Sequence, residues 1–486
     1  MIGIVARRIL AAITIAAVLS GGLAPLSPSI EASPGPEPTA SIDVPGEVFL
    51  NESFELSLVF DNTGDETGFG PVVELLVPPG VDVDAGSASF LSVPVTVLDV
   101  GLFDASGMLT NPLTGLDVTG PKDYRLLIVE YPMGSFTVDQ PAATVNLDAE
   151  LNTEATLGIA ETFYANPLFR FGADAEDNPT VDPPVFGAQG TADVVPTVIT
   201  LQKGNDAPEN ETATGPNYPV IYTLTVDIAN LADIEDLTVT DQLPDNLQFL
   251  DIVSDAGATT VTQPSTSEPG GSITFEWAGI TTGASGPDLV LQYRVYAPEL
   301  DAGDNAVIDP DTGASVPATN EAQATGDYDD GSTSTAVSAQ AQHTLTLRSV
   351  AVQKGVSLHE DNNASGVSPG DVLEYTIELQ ISDYFAFQDI AITDVIDDGQ
   401  TFLDSPAPHL AVTESGNSGD WDFVDGDTYS WSHNASTGKT TLVFDVSQLL
   451  YDEGFGVNGD GSLEGDEYTD DNHDGEPATG TIEIGR

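Results

Sequence analysis

Three polar side chains with complementary chemistry lie on strand-like segments in the middle of the chain. Lys203 and Asp241 each end a run in which apolar residues occupy alternate positions, and Asn320 lies among alanines at alternate positions. Successive side chains of a β-strand point to opposite faces, so all three residues are predicted to face the core. A buried charge is costly unless it is paired or neutralised, so Lys203 and Asp241 are predicted to interact.

Two outcomes follow from burying an amine, a carboxyl group and a carboxamide together. Burial lowers the pKa of a lysine and raises the pKa of an aspartic acid, and a neutral amine is a nucleophile. A protonated Asp241 would polarise the Asn320 carboxamide and pass a proton to the leaving ammonia, so that one autocatalytic event joins Lys203 to Asn320 through an amide. The alternative is a structural Lys203–Asp241 ion pair with Asn320 as a hydrogen-bonding partner.

The segment that carries the lysine and the aspartate occurs a second time in the chain. Three landmarks recur after 153 residues (375 − 222, 394 − 241 and 402 − 249) and the lysine recurs after 151 (354 − 203). The matched residues are Tyr222 and Tyr375, Asp241 and Asp394, Phe249 and Phe402, and Lys203 and Lys354. A period kept over four landmarks indicates a tandem domain repeat.

The repeat divides the 486 residues into three β-rich domains. We assign residues 41–195 to a divergent copy, residues 196–345 to the most complete copy and residues 346–486 to a third copy. The divergent copy keeps the apolar alternation without the lysine and the aspartate. The third copy has no recognisable counterpart of the Asn320 segment, so it is expected to be incomplete at its C-terminal end and its lysine to stay unlinked.

The N-terminal segment predicts export. Two adjacent arginines precede an apolar stretch, residues 9–19, that is too short to span a bilayer, and residues 30–32 offer a small-residue cleavage site. Residues 1–32 are therefore predicted to be a signal peptide, with an uncleaved N-terminal anchor as the alternative. Residues 33–40 are predicted to form a stiff, Pro-rich linker.

The charge of the chain argues against several classes of partner. It contains 78 acidic and 11 basic residues, a formal net charge of −67. Nucleic acids and anionic membranes bind basic surfaces, so both are poor partners for this chain beyond the export signal. The acidity fits either a surface kept soluble at high salt or a surface that collects divalent cations. The chain has no cysteine, so no disulfide braces its domains.

Four short motifs of the second copy support a comparison with a known family. They are the strand-terminal Lys203, Tyr-Thr-Leu-Thr-Val at 222–226, Thr-Asp-Gln-Leu-Pro at 240–244 and Thr-Asn-Glu-Ala at 319–322. Together they resemble the conserved repeat domain of secreted bacterial and archaeal surface proteins, long catalogued as a domain of unknown function. That domain is similar to the second domain of Gram-positive pilus backbone proteins, which forms a Lys–Asn isopeptide bond. The third copy departs from the pattern after Asp394, where Val-Ile-Asp follows.

The resemblance implies an all-β fold of tandem immunoglobulin-like β-sandwiches, used as a stalk in an adhesin or fimbrial protein. Such a protein is secreted or displayed at the cell surface, and its partners are other cell-surface or extracellular components. The spacing of strand-like segments and turns agrees with sandwiches. No nucleophile elbow, phosphate loop or dinucleotide fingerprint occurs, so a turnover enzyme is not expected. The alternatives are a carbohydrate- or cell-recognition module and an accessory region of a secreted hydrolase.

An acidic, glycine-rich stretch near the C-terminus matches parts of calcium loops. Hard oxygen ligands suit Ca²⁺, and the alternative is a solvated acidic loop; no other cofactor is expected. Each of two successive patterns, residues 456–467 and 470–481, supplies half of the expected ligands. The candidate ligands are Asn458, Asp460 and Glu467 in one pattern, and Asp470, Asn472 and Asp474 in the other.

The three tryptophans receive different predictions. Trp421 lies among acidic residues and has no counterpart in the second domain, so an exposed ring there would stack on a sugar. The alternative for Trp421 is local packing. Trp277 and Trp431 are aligned with each other in the second and third domains, and both are predicted to lie in the core.

Overall fold

The computed structural model describes residues 35–50, 52–174, 183–281, 288–362, 366–456, 459–466, 468 and 477–484. The predicted signal peptide lies outside these residues. Within them the chain is almost entirely β-strand, and the strands form three successive β-sandwiches. The predicted all-β fold of tandem immunoglobulin-like sandwiches is therefore confirmed. No helix in the described part of the chain has the length and apolar character needed to cross a membrane.

The first sandwich is built from alternating apolar strands. Its strands are β1 (Pro38–Asp43), β2 (Glu47–Phe49), β3 (Ser53–Asn62), β4 (Gly68–Phe69), β5 (Pro71–Val77), β6 (Val81–Phe90), β7 (Val93–Pro94), β8 (Thr96–Leu102), β9 (Met108–Thr110), β10 (Asp117–Thr119), β11 (Arg125–Glu130), β12 (Ser135–Phe136), β13 (Ala143–Leu151), β14 (Glu161–Phe169), β15 (Val185–Phe186) and β16 (Gly190–Thr197). One main sheet has the order β1-β3-β13-β6-β7 and the other β2-β16-β14-β5-β11-β8. In β3 the side chains of Phe54, Leu56, Leu58 and Phe60 are buried in the core, because every second residue faces inward.

The second sandwich is closed on all sides of its core. Its elements are β17 (Ile199–Asn205), a 3-10 helix (Pro208–Asn210), β18 (Glu211–Ala213), β19 (Val220–Ile228), β20 (Asp233–Leu243), β21 (Gln248–Ser254), β22 (Thr260–Thr262), β23 (Gly271–Thr281), β24 (Leu289–Tyr296), β25 (Ala318–Asp329) and β26 (Ser334–Arg348). The sheet β17-β19-β24-β21 packs on the sheet β18-β26-β25-β20-β23-β22. Strands β25 and β26 also contact β17, so the first strand of one sheet meets the last strands of the other.

The third sandwich has fewer strands in its second sheet. Its elements are β27 (Val350–Glu360), β28 (Val372–Ile381), β29 (Ala386–Phe387), β30 (Ala391–Ile396), β31 (His409–Glu414), β32 (Asn417–Asp422), β33 (Tyr429–His433), β34 (Thr440–Asp445), α1 (Val446–Asp452), β35 (Leu463–Glu464) and β36 (Thr479–Ile484). The sheet β27-β28-β36-β31-β32 packs on the three-stranded sheet β30-β34-β33. Counterparts of β25 and β26 do not occur among the residues described here.

Strand pairing corrects the predicted alignment of the second and third sandwiches. β36 pairs with β28 as β24 pairs with β19, and β34 pairs with β30 as β23 pairs with β20. Trp431 therefore lies on the strand next to the counterpart of the Trp277 strand. Trp277 is 7% exposed and Trp431 is 41% exposed, so the prediction that Trp431 is a core residue was wrong. A local motif match could not detect this shift, because pairing is made between distant segments.

Two predicted boundaries and one predicted strand position also differ from the structure. Strand β1 begins at Pro38, so the last residues of the predicted linker belong to an edge strand, whose first position tolerates proline. The sequence places Asn320 on an expected final core strand; in the structure it lies on β25, and β26 follows, so it is on the penultimate strand of its sandwich. Strand β26 continues to Arg348, past the boundary that we predicted after residue 345.

Candidate isopeptide site

The second sandwich brings Lys203, Asp241 and Asn320 together in its core. Lys203 lies on β17 in one sheet, and Asp241 lies on β20 in the other. On β25, Ala322 pairs with Asp241, so Asn320, two residues away, faces the same side. The side chains of Lys203 and Asp241 are 0% exposed, and Asn320 is equally buried. The inward orientation predicted from strand alternation is therefore seen for all three residues.

A tyrosine hydroxyl connects the three side chains. The hydroxyl of Tyr293 donates to Oδ2 of Asp241 at 2.7 Å and accepts from Nδ2 of Asn320 at 2.8 Å. Nζ of Lys203 lies 3.1 Å from the same hydroxyl and forms an ion pair with Oδ2 of Asp241. Sequence reasoning missed Tyr293, because it lies on β24 at an inward position of an apolar alternation and resembles an ordinary core residue.

Aromatic rings separate the site from water. The rings of Tyr222 and Tyr293 stack with their centroids 5.7 Å apart, and Nζ of Lys203 lies 5.0 Å from the centre of the Tyr222 ring. His343, which faces Asn320 across the β25–β26 ladder, packs edge-on against Tyr222 at 6.0 Å. Cation–π attraction partly offsets the desolvation of the ammonium group. The site is therefore enclosed mainly by aromatic rings rather than by water.

The electrostatics of this environment favour uncharged forms. Burial lowers the pKa of Lys203, against the opposing effect of Asp241. Burial raises the pKa of Asp241, against the opposing effect of Lys203. Burial, followed by the neighbouring Asp241 charge, raises the pKa of Tyr293 well above its usual value, so its hydroxyl keeps its proton. Transfer of one proton from Lys203 to Asp241 removes both buried charges at once.

Two oxygens of the site have no hydrogen-bond partner among the described residues. They are Oδ1 of Asp241 and Oδ1 of Asn320, and both are buried. Leaving a buried acceptor unpaired costs about 1–3 kcal/mol. A proton on the Asp241 carboxyl group would turn it into a donor and reduce this cost. The arrangement thus supplies a nucleophile, an acid–base group and an amide with an available carbonyl oxygen.

The first sandwich has the same geometry with apolar residues. Leu75 on β5 pairs with Ala165 on β14, as Asp241 pairs with Ala322. Leu75 and Asp241 are also both followed three residues later by a proline. Phe163 therefore takes the position of Asn320. Leu75 and Phe163 are both fully buried, so an ordinary hydrophobic core fills the place of the reactive side chains.

The third sandwich keeps only part of the site. Nζ of Lys354 lies 2.6 Å from Oδ1 of Asp394 and 4.4 Å from the centre of the Tyr375 ring. The partner of Tyr375 on the adjacent strand is Ile484, whereas the partner of Tyr222 is Tyr293. The third sandwich therefore lacks the hydroxyl at this position, and its described residues contain no counterpart of Asn320.

The candidate calcium ligands are mostly outside the described residues. The ligands outside them are Asn458, Glu467, Asp470, Asn472 and Asp474. Oδ1 of Asp460 accepts hydrogen bonds from N and Oγ of Ser462 at 3.0 and 2.5 Å. These hydrogen bonds lower the pKa of Asp460. Among the described side chains no group of three or more His, Asp or Glu has the arrangement of a metal site.

Trp421 packs locally. Its ring meets the ring of Phe455 edge-on with centroids 5.5 Å apart, and it is only half-buried. Gly419 lies directly beneath the indole, since a Cβ built there would fall 1.7 Å from a ring carbon. These contacts favour the packing alternative for Trp421 over a sugar-stacking surface.

Comparison with known proteins gives distant matches only. No family model and no curated protein matches the chain. The solved structures that match include the 35 kDa C-terminal fragment of the major pilin GBS80 of Streptococcus agalactiae, with 12% identity over 64% of this chain and 91% of that chain and a TM-score of 0.21. Another is the full-length major pilin SpaD of Corynebacterium diphtheriae, with 12% identity over 81% of each chain and a TM-score of 0.22. A cohesin module from a family 33 glycoside hydrolase of Clostridium perfringens matches with 12% identity over 34% of this chain and 98% of that chain, at a TM-score of 0.23.

Proposed function

We propose that this chain is an exported structural protein of the cell surface, a stalk of β-sandwiches whose second sandwich forms a Lys203–Asn320 isopeptide bond. The observation that supports this most directly is the meeting of Lys203, Asp241 and Asn320 at the buried hydroxyl of Tyr293. An ordinary ion pair does not require a carboxamide from a third strand. Intact-mass spectrometry of the full chain tests the proposal, since the linked chain is lighter than its sequence by one ammonia.

The reaction begins with a proton transfer from the Lys203 ammonium to the Asp241 carboxylate, which contact each other directly. The neutral Nζ then attacks Cγ of Asn320, and Asp241 donates its proton to the carboxamide as the tetrahedral intermediate forms. When the intermediate collapses, the Cγ–Nδ2 bond breaks and Asp241 relays a proton from Nζ to the departing nitrogen. As the carbonyl re-forms, the proton on the carboxamide oxygen returns to Asp241. One Nζ–Cγ bond replaces one Cγ–Nδ2 bond, ammonia leaves, and Asp241 ends protonated, holding the proton that the Lys203 ammonium gave up at the start.

Tyr293 has a positioning role in this scheme. Its hydroxyl holds Nδ2 of Asn320, the nitrogen that leaves, and at the same time holds Oδ2 of Asp241. Because the folded chain already holds the reacting groups in place, little entropy is lost in bringing them together for the reaction. Because the raised pKa of Tyr293 keeps its hydroxyl protonated, the residue orients the other groups without adding another charge to the site.

The bond would join the two sheets of the sandwich. Lys203 and Asn320 are 117 residues apart (320 − 203), and closing a loop of this length stabilises a fold by about 4–5 kcal/mol through chain entropy. It would carry tension from β17 directly to β25 without unfolding the strands between them. In a chain without cysteine, such a link performs the bracing that disulfides provide elsewhere.

Export is the second part of the proposal and rests on the sequence. The arginines and apolar stretch of residues 1–32 support removal of this segment during secretion. Determination of the N-terminal sequence of the secreted protein tests this part, with a start near residue 33 as the expected result. A membrane-bound protein that retains Met1 would establish the anchor alternative instead.

A further inference from the structure

The second sandwich has a seam beside the candidate isopeptide site. Strand β17 forms the edge of its sheet next to β19, and β26 belongs to the other sheet. The structure describes every residue of β17 and β26: the two strands contact each other, but no ladder of backbone hydrogen bonds joins them. Lys203 lies on β17, and His343 of β26 is the ladder partner of Asn320. The seam therefore runs directly beside two of the three reacting side chains.

A side-chain hydrogen bond crosses this seam. Nδ2 of Asn205, which follows Lys203 by two residues on β17, lies 3.2 Å from Nδ1 of His343. Oδ1 of Asn205 accepts from the backbone N–H of Ala207 at 3.0 Å, so the amide nitrogen is the end that faces His343 and donates. Nδ1 of His343 is thus the acceptor, and the neutral ring carries its proton on Nε2. We call the Asn205–His343 hydrogen bond the latch.

The latch lies between the reacting groups and water. The side chain of Lys203 is 0% exposed, and Asn320 is fully buried. Asn205 and His343 are half-buried, and the residues on either side of His343 along β26 are exposed. Burial, followed by the charge of Lys203, lowers the pKa of His343, so Nδ1 stays free to accept the hydrogen bond. The two residues of the latch therefore form a polar layer that covers the site.

The site behind the latch has an unmet demand for hydrogen bonds. Three buried oxygens have no hydrogen-bond partner among the described residues: Oδ1 of Asp241, Oδ1 of Asn320 and the hydroxyl of Tyr222. Water that reached them would supply the missing partners and be held there. It would also solvate an ammonium and a carboxylate, and so favour the ion pair over the uncharged pair. A site with this composition stays dry only where the fold closes it.

We infer that the latch closes the seam to water and so keeps the Lys203–Asp241 pair in the uncharged form that reacts. The inference rests on the proposed bond between Lys203 and Asn320. It adds two positioning residues, Asn205 and His343, which act by excluding solvent rather than by exchanging protons with the reacting groups. Exclusion of water strengthens the electrostatic effects inside a reactive site, so loss of either residue should change the protection of the lysine and the rate of bond formation together.

Chemical modification of lysine tests the closure independently of bond formation. The background is the full chain with the Asn320→Ala change, in which the bond cannot form and Lys203 keeps a free amine. The chain has four lysines, and the side chains of Lys122 and Lys439 are 64% and 52% exposed, so these two are internal references. Reductive methylation with formaldehyde and dimethylamine–borane, followed by peptide mass spectrometry, gives the rate at each lysine.

Removal of either partner of the latch should expose Lys203. Asn205→Ala removes the donor, and His343→Phe removes the acceptor but keeps a ring against Tyr222. Each change should raise the methylation rate of Lys203 at least tenfold relative to the reference lysines, because a seam that opens more often admits the reagent more often. The double variant should show no further increase, since both changes break the same hydrogen bond. Unchanged methylation of Lys203, or additive increases, overturns the inference.

Asn246→Ala is the matched control for a general loss of stability. Asn246 lies between β20 and β21 in the same sandwich, is 6% exposed and donates to the carbonyl oxygen of Val316 at 2.9 Å. The change removes a hydrogen bond of the same kind and should leave the methylation rate of Lys203 unchanged. Circular dichroism establishes that all variants are folded. Equal increases for Asn205→Ala and Asn246→Ala would assign the effect to unfolding of the sandwich and refute the latch.

The rate of bond formation supplies a second measurement, on chains that keep Asn320. Asn205→Ala and His343→Phe should each slow the appearance of linked chain at least tenfold, because admitted water favours the ion pair. Intact mass at intervals after cell-free synthesis gives the rate. A variant that exposes Lys203 to formaldehyde but links at the wild-type rate would refute the role in the reaction. A wild-type chain with the full sequence mass would refute the proposed bond itself, and the methylation rates would still decide whether the latch closes the seam.

Discussion

The hydroxyl of Tyr293 accepts a 2.8 Å hydrogen bond from Nδ2 of Asn320, the nitrogen that departs as ammonia in the proposed reaction. The same hydroxyl donates to Asp241, so one side chain orients both the leaving group and the group that delivers its proton. Near-attack geometry of this kind lowers the entropic part of a barrier. The position of Tyr293 on β24 is therefore expected to affect the rate of bond formation.

The Tyr293→Phe change should slow bond formation at least tenfold while the chain still folds. The phenyl ring keeps its packing, but the leaving nitrogen and the Asp241 carboxyl group lose their common partner. The measurement is the fraction of linked chain by intact mass at intervals after cell-free synthesis. Tyr222→Phe is the control, since the structure shows no hydrogen bond from the Tyr222 hydroxyl to Lys203, Asp241 or Asn320. Equal rates for Tyr293→Phe and wild type would exclude the positioning role.

Changes at Asp241 should prevent the loss of ammonia that the proposed Lys203–Asn320 bond causes in the wild type. Asp241→Asn keeps the size of the side chain but removes the acid–base function, and Asp241→Ala removes it entirely. Mass spectrometry of each full chain should show the unlinked mass. The matched control is Asp394→Ala in the third sandwich, which should leave the ammonia loss of the chain unchanged because Lys354 is predicted to stay unlinked. A wild-type chain with the full sequence mass would mean that the three residues are only core polar groups.

The rate of bond formation should be highest on a plateau of pH and fall on both sides. The reactive pair, neutral Lys203 with protonated Asp241, holds the same number of protons as the ion pair, so their ratio does not change with pH. Burial lowers the pKa of Lys203 and raises the pKa of Asp241. At lower pH both groups are protonated and the amine loses its nucleophilicity; at higher pH both are deprotonated and the acid is lost.

Refolding of the unlinked chain measures this profile. Denatured chain recovered from insoluble material is diluted into buffers of different pH, and the reaction is quenched in denaturant at intervals. Intact-mass spectrometry then gives the fraction of linked chain at each time. The fold must be confirmed at each pH by circular dichroism, so that loss of structure is not mistaken for loss of rate. A rate that rises continuously with pH would show that Lys203 acts without a protonated Asp241.

Strand alternation was sufficient to predict which faces of β17, β20 and β25 carry the site. It works because one side of each strand is buried, and a shift of one residue would expose every apolar side chain. It could not reveal Tyr293, because a tyrosine among inward apolar residues has the pattern of a core residue. The hydrogen bonds of its hydroxyl depend on which strands become neighbours, and this is decided by contacts between distant segments.

The third sandwich also shows that local sequence patterns do not reveal contacts between distant segments. The repeat identified Lys354 and Asp394 correctly as counterparts of Lys203 and Asp241, because each lies in a run with local alternation. The later strands were aligned wrongly because α1 and β35 lie between β34 and β36.

The calcium hypothesis predicts a stabilised third sandwich. A ligand that binds only the folded state stabilises it by about 2.7 kcal/mol at a hundredfold excess over its dissociation constant. Thermal unfolding of the full chain is followed by tryptophan fluorescence in millimolar calcium, with millimolar magnesium as the control. The paired changes Asp470→Ala and Asp474→Ala should abolish a calcium-specific increase in Tm. No increase for the wild type would leave only the acidic-loop interpretation.

The junction between the second and third sandwiches should depend on Asn217. Its backbone N–H donates to Oδ2 of Asp383 at 2.9 Å, and its Nδ2 lies 3.2 Å from both Oδ1 of Asp383 and Oδ2 of Asp466. Asp383 is fully buried. Gly215 permits this approach, because its φ is +129° and a Cβ there would lie 2.1 Å from the Asp383 carboxylate. The polar contacts therefore fix the orientation of the two sandwiches.

Asn217→Ala should lower the stability of the third sandwich by about 1–3 kcal/mol, the cost of removing hydrogen bonds from a buried acceptor. Differential scanning calorimetry of the full chain measures this as a lower Tm for the transition of that sandwich. Asn230→Ala is the matched control, since Asn230 is exposed and donates to Glu52 at the other junction at 2.7 Å; a change of less than about 0.5 kcal/mol is expected there. If both variants shift the calorimetric trace equally, the Asp383 contacts do not hold the junction. A shift confined to Asn217→Ala would show that the contacts with Asp383 hold the second and third sandwiches together.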